Sequence, residues 1–185
     1  MHRSYRRLLL RRGFKQGINV LNMASFVKIH RSFLGKTQLQ ERIGLYMNLS
    51  ETISYCVDSA VKIAAETYGK TLDFSEESMD IVDTILDGYH ERYLYQEKDG
   101  SLIRDHINSY ASIFGIYVGE VLLRQYGKGY VWKETEYGVA LAQDEKNMIN
   151  PVAKAYKHIQ NGKENGDDIK SFYRVAVSIM CGAFL

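Results

Sequence analysis

Apolar residues recur every three or four positions along most of this chain, a spacing that predicts helices. Residues 18–34 carry Phe26, Ile29 and Phe33 on one stripe and Lys28 and Arg31 on another. A second helix is expected from Thr37, as its cap, to Tyr68. In it Ile43, Tyr46, Met47, Ser50, Ile53, Cys56 or Val57, Ala60, Ile63 and Ala64 keep the spacing, and Gly69 supplies the stop. The next helix is predicted to start with Ser75 as N-cap. Glu76 and Glu77 would then meet the positive end of the helix dipole, and Phe74 would pack on Met79. Met79, Val82, Ile85 or Leu86, Tyr89 and Tyr93 make its inner face; Asp80, Asp83, Asp87 and Glu91 make its outer face.

Lys98-Asp99-Gly100 is a turn, after which Ser101 opens a helix running from about Leu102 to Tyr126. Its stretch 113–123 is apolar nearly all round, as expected of a central buried helix. Gly115 and Gly119 lie four apart on one face, a spacing that lets a neighbour approach closely. Strand character is confined to residues 130–135 and 139–143, which flank a turn near Gly138 and read as a hairpin. Asn150-Pro151 starts a helix with Val152, Ala155, Tyr156 and Ile159 inside. Asp168 caps a last helix with Ile169, Phe172, Tyr173, Ala176 and Ile179 inside. The expected fold class is α+β, predominantly helical, with about five to six helices around a central buried helix and one β-hairpin.

Composition adds bounds. A chain of 185 residues with 45% hydrophobic and 25% charged residues fits one globular domain and excludes disordered and collagen-like classes. One proline favours long helices, and 14 tyrosines favour polar-tipped contacts in a core or an interface. The net charge of +2 hides an asymmetry. Residues 1–36 hold nine basic groups (Arg3, Arg6, Arg7, Arg11, Arg12, Lys15, Lys28, Arg31, Lys36) and no acid. The other residues hold fifteen basic groups against all 22 acids, a net of −7.

The expected organisation is therefore a basic N-terminal arm at 1–36, poorly ordered or helical, and a single mainly helical domain at 37–185. Three readings of the arm stay open. It could contact nucleic acid or an anionic membrane through Arg3, Arg6, Arg7, Arg11, Arg12 and Lys15, helped by the interleaved Tyr5, Phe14, Phe26 and Phe33. It could dock on the body, or it could lie outside the native fold, since Met23 and Met47 could each serve as an alternative start. Leu8-Leu9-Leu10 between arginine pairs is too short for a secretory signal, and no apolar run reaches the ~18 residues of a membrane span. Cys56 and Cys181 show no paired spacing and read as buried free thiols. A cytoplasmic location is the expectation.

Candidate chemistry is sparse. The histidines at 2, 30, 90, 106 and 158 form neither HExxH nor a zinc-ligand spacing with cysteine. Asp87, His90 and Glu91 come nearest to a metal or acid–base cluster, and a solvated acidic face is their ordinary reading. Glu120 stands out for its apolar neighbours: burial would raise its pKa and suit it to acid–base work, whereas Arg124 one turn later offers a plain ion pair. There is no GxSxG elbow, no phosphate-binding loop and no dinucleotide fingerprint. No cofactor and no metal is expected.

Three sequence features bear a resemblance: Leu72-Asp73-Phe74-Ser75-x-x-Ser78; Phe114-Gly115-x-Tyr117-x-Gly119-Glu120; and Trp132 with Asn150-Pro151. Over about residues 70–175 the chain resembles small uncharacterised bacterial proteins in which an LDYS-like helix start precedes a GAYLGEV-like central helix, a tryptophan hairpin and a proline-led helix. Here Phe74 stands in place of the tyrosine and Ile116 in place of a small residue. The resemblance implies a single domain of unknown function, similar in build to some immunity proteins that neutralise toxins. It also implies that Tyr117, Glu120 and Trp132 form one packed cluster, either structural or lining a pocket.

The function expected from sequence is that of a non-enzymatic cytoplasmic protein-binding domain, with a toxin-neutralising immunity protein as its more specific form, its partner contacted by Asp80, Asp83, Asp87 and Glu91. The alternative is nucleic-acid or anionic-membrane binding through residues 1–36. A lesser alternative is a small enzyme using Glu120 with His106 or Tyr117.

Overall fold

The computed structural model describes residues 48–135 and 138–182. The arm, the helix expected at 18–34 and the Thr37 cap lie outside them. The described residues belong to one compact unit beginning at Asn48.

Five helices and a small sheet follow in order: α1 (Leu49–Tyr68), α2 (Ser78–Asp99), α3 (Arg104–Tyr126), β1 (Val131–Thr135), β2 (Gly138–Ala142), β3 (Met148–Ile149), α4 (Pro151–Asn161), a 3-10 turn (Lys163–Asn165) and α5 (Ile169–Met180). This is the predominantly helical α+β fold expected from the pattern. α3 is its centre, packed against α1, α4 and α5 and carrying eleven buried residues from Ile107 to Leu122.

α1 does not run back through residue 48. Asn48 is extended, its side chain accepts from the Glu51 N–H, and the Glu51 carboxylate accepts from the Asn48 N–H. That reciprocal capping box satisfies two amides which would otherwise lack partners and starts the helix there. Cys56, Val57, Ala60, Ile63 and Ala64 form the buried face, and Gly69 closes the helix in the left-handed region.

The start of α2 also differs from expectation. Ser75 does not cap it; its N–H and hydroxyl both go to Asp73 Oδ1, which accepts the Ser78 hydroxyl as well. The helix begins three residues later, at Ser78. Ser101 is likewise bound back to Asp99, and α3 begins at Arg104. In both places a local serine–aspartate bond competes with helix initiation.

The sheet is antiparallel with order β1-β2-β3, and its third strand has no counterpart in the sequence reading. Trp132, Leu141 and Ile149 lie in one cross-strand row, the last two fully or nearly buried. The two helix glycines explain the close packing. A Cβ on Gly115 would sit 2.5 Å from Val152 Cα and 2.9 Å from the Pro151 carbonyl oxygen, and one on Gly119 would collide with the Trp132 ring. The first turn of α4 and the indole therefore rest directly on α3.

Asn150 caps α4 and Asp168 caps α5, as their positions predict. The inner face of α4 is Pro151, Ala155, His158 and Ile159, with Val152 and Tyr156 half-buried. On α5, Ile169, Tyr173 and Ala176 are buried, whereas Ile179 is exposed. Cys56 is buried and burial pushes its thiol up to about 12; Cys181 is exposed, contrary to expectation, because it follows the last turn of α5. Among the described residues no helix is long and apolar enough to cross a membrane.

Candidate functional site

Phe74 of the first motif and Tyr117 of the second meet at α3. Phe74, in the loop before α2, adopts φ +64°, the left-handed region that a bulky residue enters only when its surroundings hold it there. Three side chains of α3 do so. The Tyr117 hydroxyl accepts the Phe74 N–H at 2.9 Å, and the Gln125 amide donates to the Phe74 carbonyl at 2.9 Å. The Arg124 guanidinium lies over the ring, 3.3 Å from its centroid. Beneath, the Tyr117 ring packs at 5.1 Å, centroid to centroid. Gln125 is in turn fixed by the Tyr173 hydroxyl of α5, which donates to its carbonyl oxygen at 2.8 Å.

Beside this stack, Trp132 Nε1 donates to Glu120 Oε1 at 2.7 Å. Glu120 Oε2 lies 4.0 Å from Arg124 Nε, with the glutamate side chain 19% and the arginine 50% exposed. The glutamate thus sits between the indole and the guanidinium, and its firmer bond goes to the indole. Among the described residues Arg124 makes one long ion contact and no hydrogen bond; its side chain is half exposed and its guanidinium lies over an aromatic ring. A stacked arginine with a free planar fork is ready to receive a carboxylate or carbonyl.

Glu120 and Trp132 are joined directly, and Tyr117 lies one turn before Glu120 on α3 with its contacts to Phe74. Tyr117 is fully buried with its hydroxyl on the Phe74 amide; burial, the largest influence, pushes its pKa up. His106 lies fourteen residues before Glu120 on the same helix, about 21 Å away at 1.5 Å per residue. That distance removes His106 as an acid–base partner for Glu120.

Of the acidic stripe of α2, expected as a solvated outer face, Asp80 and Glu91 are exposed, whereas Asp83 and Asp87 are half-buried and bound internally. Asp83 accepts the backbone N–H groups of Ile169 at 2.6 Å and Lys170 at 3.1 Å, so its carboxylate sits at the positive end of α5. Asp87 binds His158 Nε2 at 3.0 Å and Lys163 Nζ at 2.5 Å. Asp80 pairs with Lys170 at 2.6 Å, and Glu91 is exposed and has no ion pair among the described residues. The physical reason is that α4 and α5 pack across α2 and bring their cations and amides to this face. His90 donates Nδ1–H to the Ile159 carbonyl at 2.9 Å and covers Gly162, so it does not join Asp87 and Glu91. Among the described residues no group of three His, Cys, Asp or Glu is arranged to hold a metal.

His158 is the residue that sequence reading missed. It is fully buried between Asp83 and Asp87. A signal was available: after Pro151 and Ala155, position 158 falls on the same inner stripe as Ile159. Phe74, Gln125 and Tyr173 carry no comparable signal for their joint role.

Comparison with known proteins finds no matching family model, no similar curated protein and no similar solved structure.

Proposed function

We propose that this chain is a non-enzymatic protein-binding domain that contacts its partner through the surface of Phe74, Arg124, Glu120 and Trp132, in the manner of a toxin-neutralising immunity protein. The observation carrying this reading is the strained Phe74 held under the Arg124 guanidinium. Strain of this kind, of order 1–3 kcal/mol, persists where the surroundings over-determine it, and such positions cluster at binding and switch regions. Arginine and tryptophan are also the side chains that most often dominate binding energy at protein interfaces. The net of −7 beyond residue 36 favours encounter with a basic partner. The acidic stripe contributes to that field through Asp80 and Glu91, while Asp83 and Asp87 are committed internally.

The deciding experiment is affinity capture by the tagged chain from nuclease-treated lysate of its source organism, alongside Arg124→Ala and Trp132→Phe variants shown to be folded by circular dichroism. A stoichiometric protein partner that is lost from the variants supports the reading. A partner retained equally by both variants overturns this surface, and recovery of nucleic acid alone from untreated lysate overturns the protein-binding reading.

A further inference from the structure

The buried cluster on α2, α4 and α5 is more than is needed to fill space. His158 Nε2 faces Asp87 Oδ1 at 3.0 Å in good hydrogen-bond geometry, so Nε2 carries a proton. Its Nδ1 lies 3.3 Å from Asp83 Oδ1 but makes no well-formed hydrogen bond and is sealed from water. With both nitrogens protonated, the imidazolium satisfies two carboxylates. Loss of a proton leaves one N–H. Asp87 retains it, because Lys163 holds that carboxylate in place, and the Nδ1 lone pair is then turned on Asp83.

Asp83 is also the group that anchors α5. Its two oxygens hold the amides of Ile169 and Lys170. One turn on, Tyr173 holds Gln125, and Gln125 holds the Phe74 carbonyl. From Asp83, in ion contact with the buried imidazole, two amide hydrogen bonds, one turn of α5 and the Tyr173 and Gln125 bonds therefore lead to the strained residue beneath Arg124.

We propose that the His158–Asp83–Asp87 cluster is a pH-sensitive latch on α5, which sets through Tyr173 and Gln125 how firmly Phe74 and Arg124 are held at the candidate contact surface. The link to binding rests on the protein-binding reading above; the latch does not. The charged groups around it are consistent with one direction of response. α2 presents Asp83 and Asp87, with Asp80 and His90 a turn to either side. The 3-10 turn presents Lys163, α5 presents Lys170, and on α4 Lys154 is paired with Asp167. The buried positions of α3 carry no charged residue. The two nearest aspartates favour the imidazolium, and Lys163 blunts only the more exposed of them. The latch is closed when His158 is protonated and slackens as pH rises.

The test is made on the full chain without a partner. The His158 ring is titrated by NMR from about pH 5 to 9, alongside amide-exchange protection factors for α5 and the emission of Trp132, the one tryptophan. Protection of the Ile169–Tyr173 amides should fall several-fold, and the Trp132 emission should shift, both with the His158 midpoint. Tyr173→Phe should keep the change in α5 and lose the change at Trp132. Asp87→Asn, at a carboxylate still partly exposed, should move the midpoints to lower pH together. The latch is overturned if protection of α5 stays flat while His158 titrates, or if His158 does not titrate in this range. The link to the contact surface is overturned if Tyr173→Phe leaves the Trp132 change intact. Failure of Arg124→Ala to affect partner capture would count against the proposed function and leave the latch untouched.

Discussion

The Tyr117 hydroxyl accepts the backbone N–H of Phe74 across 43 residues of sequence and so holds a phenylalanine at φ +64°. This bond joins the loop before α2 to the central helix. The strained backbone is secured from both sides, since Gln125 takes the carbonyl of the same residue.

Removing that hydroxyl should be costly for so small a change. Tyr117→Phe keeps the buried ring but leaves the Phe74 amide without its partner. A loss of about 1–2 kcal/mol is expected in urea unfolding. An unchanged midpoint would show that the loop holds its conformation without the bond.

The two glycines of α3 should differ in tolerance. A methyl on Gly115 meets the backbone of Val152 and Pro151, which cannot move without shifting α4. Gly115→Ala is expected to cost about 2–3 kcal/mol, at the upper end of overpacking. A methyl on Gly119 meets the outer edge of the Trp132 ring, which can swing away. Gly119→Ala should therefore cost less and shift the tryptophan emission as the bond to Glu120 breaks. Equal costs with unchanged emission would contradict this packing.

The acidic stripe should be graded. Asp83→Asn disturbs the carboxylate that holds the Ile169 and Lys170 amides and faces a buried histidine. A loss of about 2–3 kcal/mol is expected. Lys170→Ala removes a pair whose side chains are 34% and 59% exposed, and at most about 0.5 kcal/mol is expected. Thermal unfolding of the two variants tests the order.

Stability should fall on both sides of mildly acid pH. His158 has its pKa raised from 6.5: burial, the largest single influence, opposes the charge, but the close contacts and charges of Asp83 and Asp87 together outweigh it. Its contribution is complete below about pH 6.5 and is lost as pH rises through the raised folded value. Asp73 is lowered from 3.8 to about 2 by the Ser75 side-chain and backbone bonds, then by Ser78. Asp168 is lowered from 3.8 as well: burial opposes this, but the Ser171 bonds prevail. The contributions of these two aspartates are complete above about pH 4 and are lost as pH falls through their lowered folded values. Urea midpoints measured across pH should trace both limbs, and the alkaline limb should weaken in Asp87→Asn.

Much of the fold was legible because it depends on local repetition. The inner faces of α1 and α2, the stops at Gly69 and Gly100, the caps at Asn150 and Asp168, and the glycine spacing of α3 follow from periodicity and backbone preference. Errors arose where a side chain had two local options. Ser75 and Ser101 resemble N-caps in sequence, yet each is taken by an aspartate two residues earlier. Asp83 and Asp87 resemble a solvated stripe because their spacing places them opposite the apolar face of α2, whatever packs there.

The sequence by itself determined the helical class, the buried centre at 113–123 and the hairpin, since these rest on periodicity along the chain and on glycine and proline stereochemistry. Only the tertiary structure decided that His158 lies between two aspartates, that Asp83 anchors α5, and that Phe74 is held left-handed beneath Arg124. Each of these joins residues about 40 to 90 positions apart. Hydrogen bonds and charges at that separation form where packed helices bring the groups together, and no local pattern records which helix will lie across which.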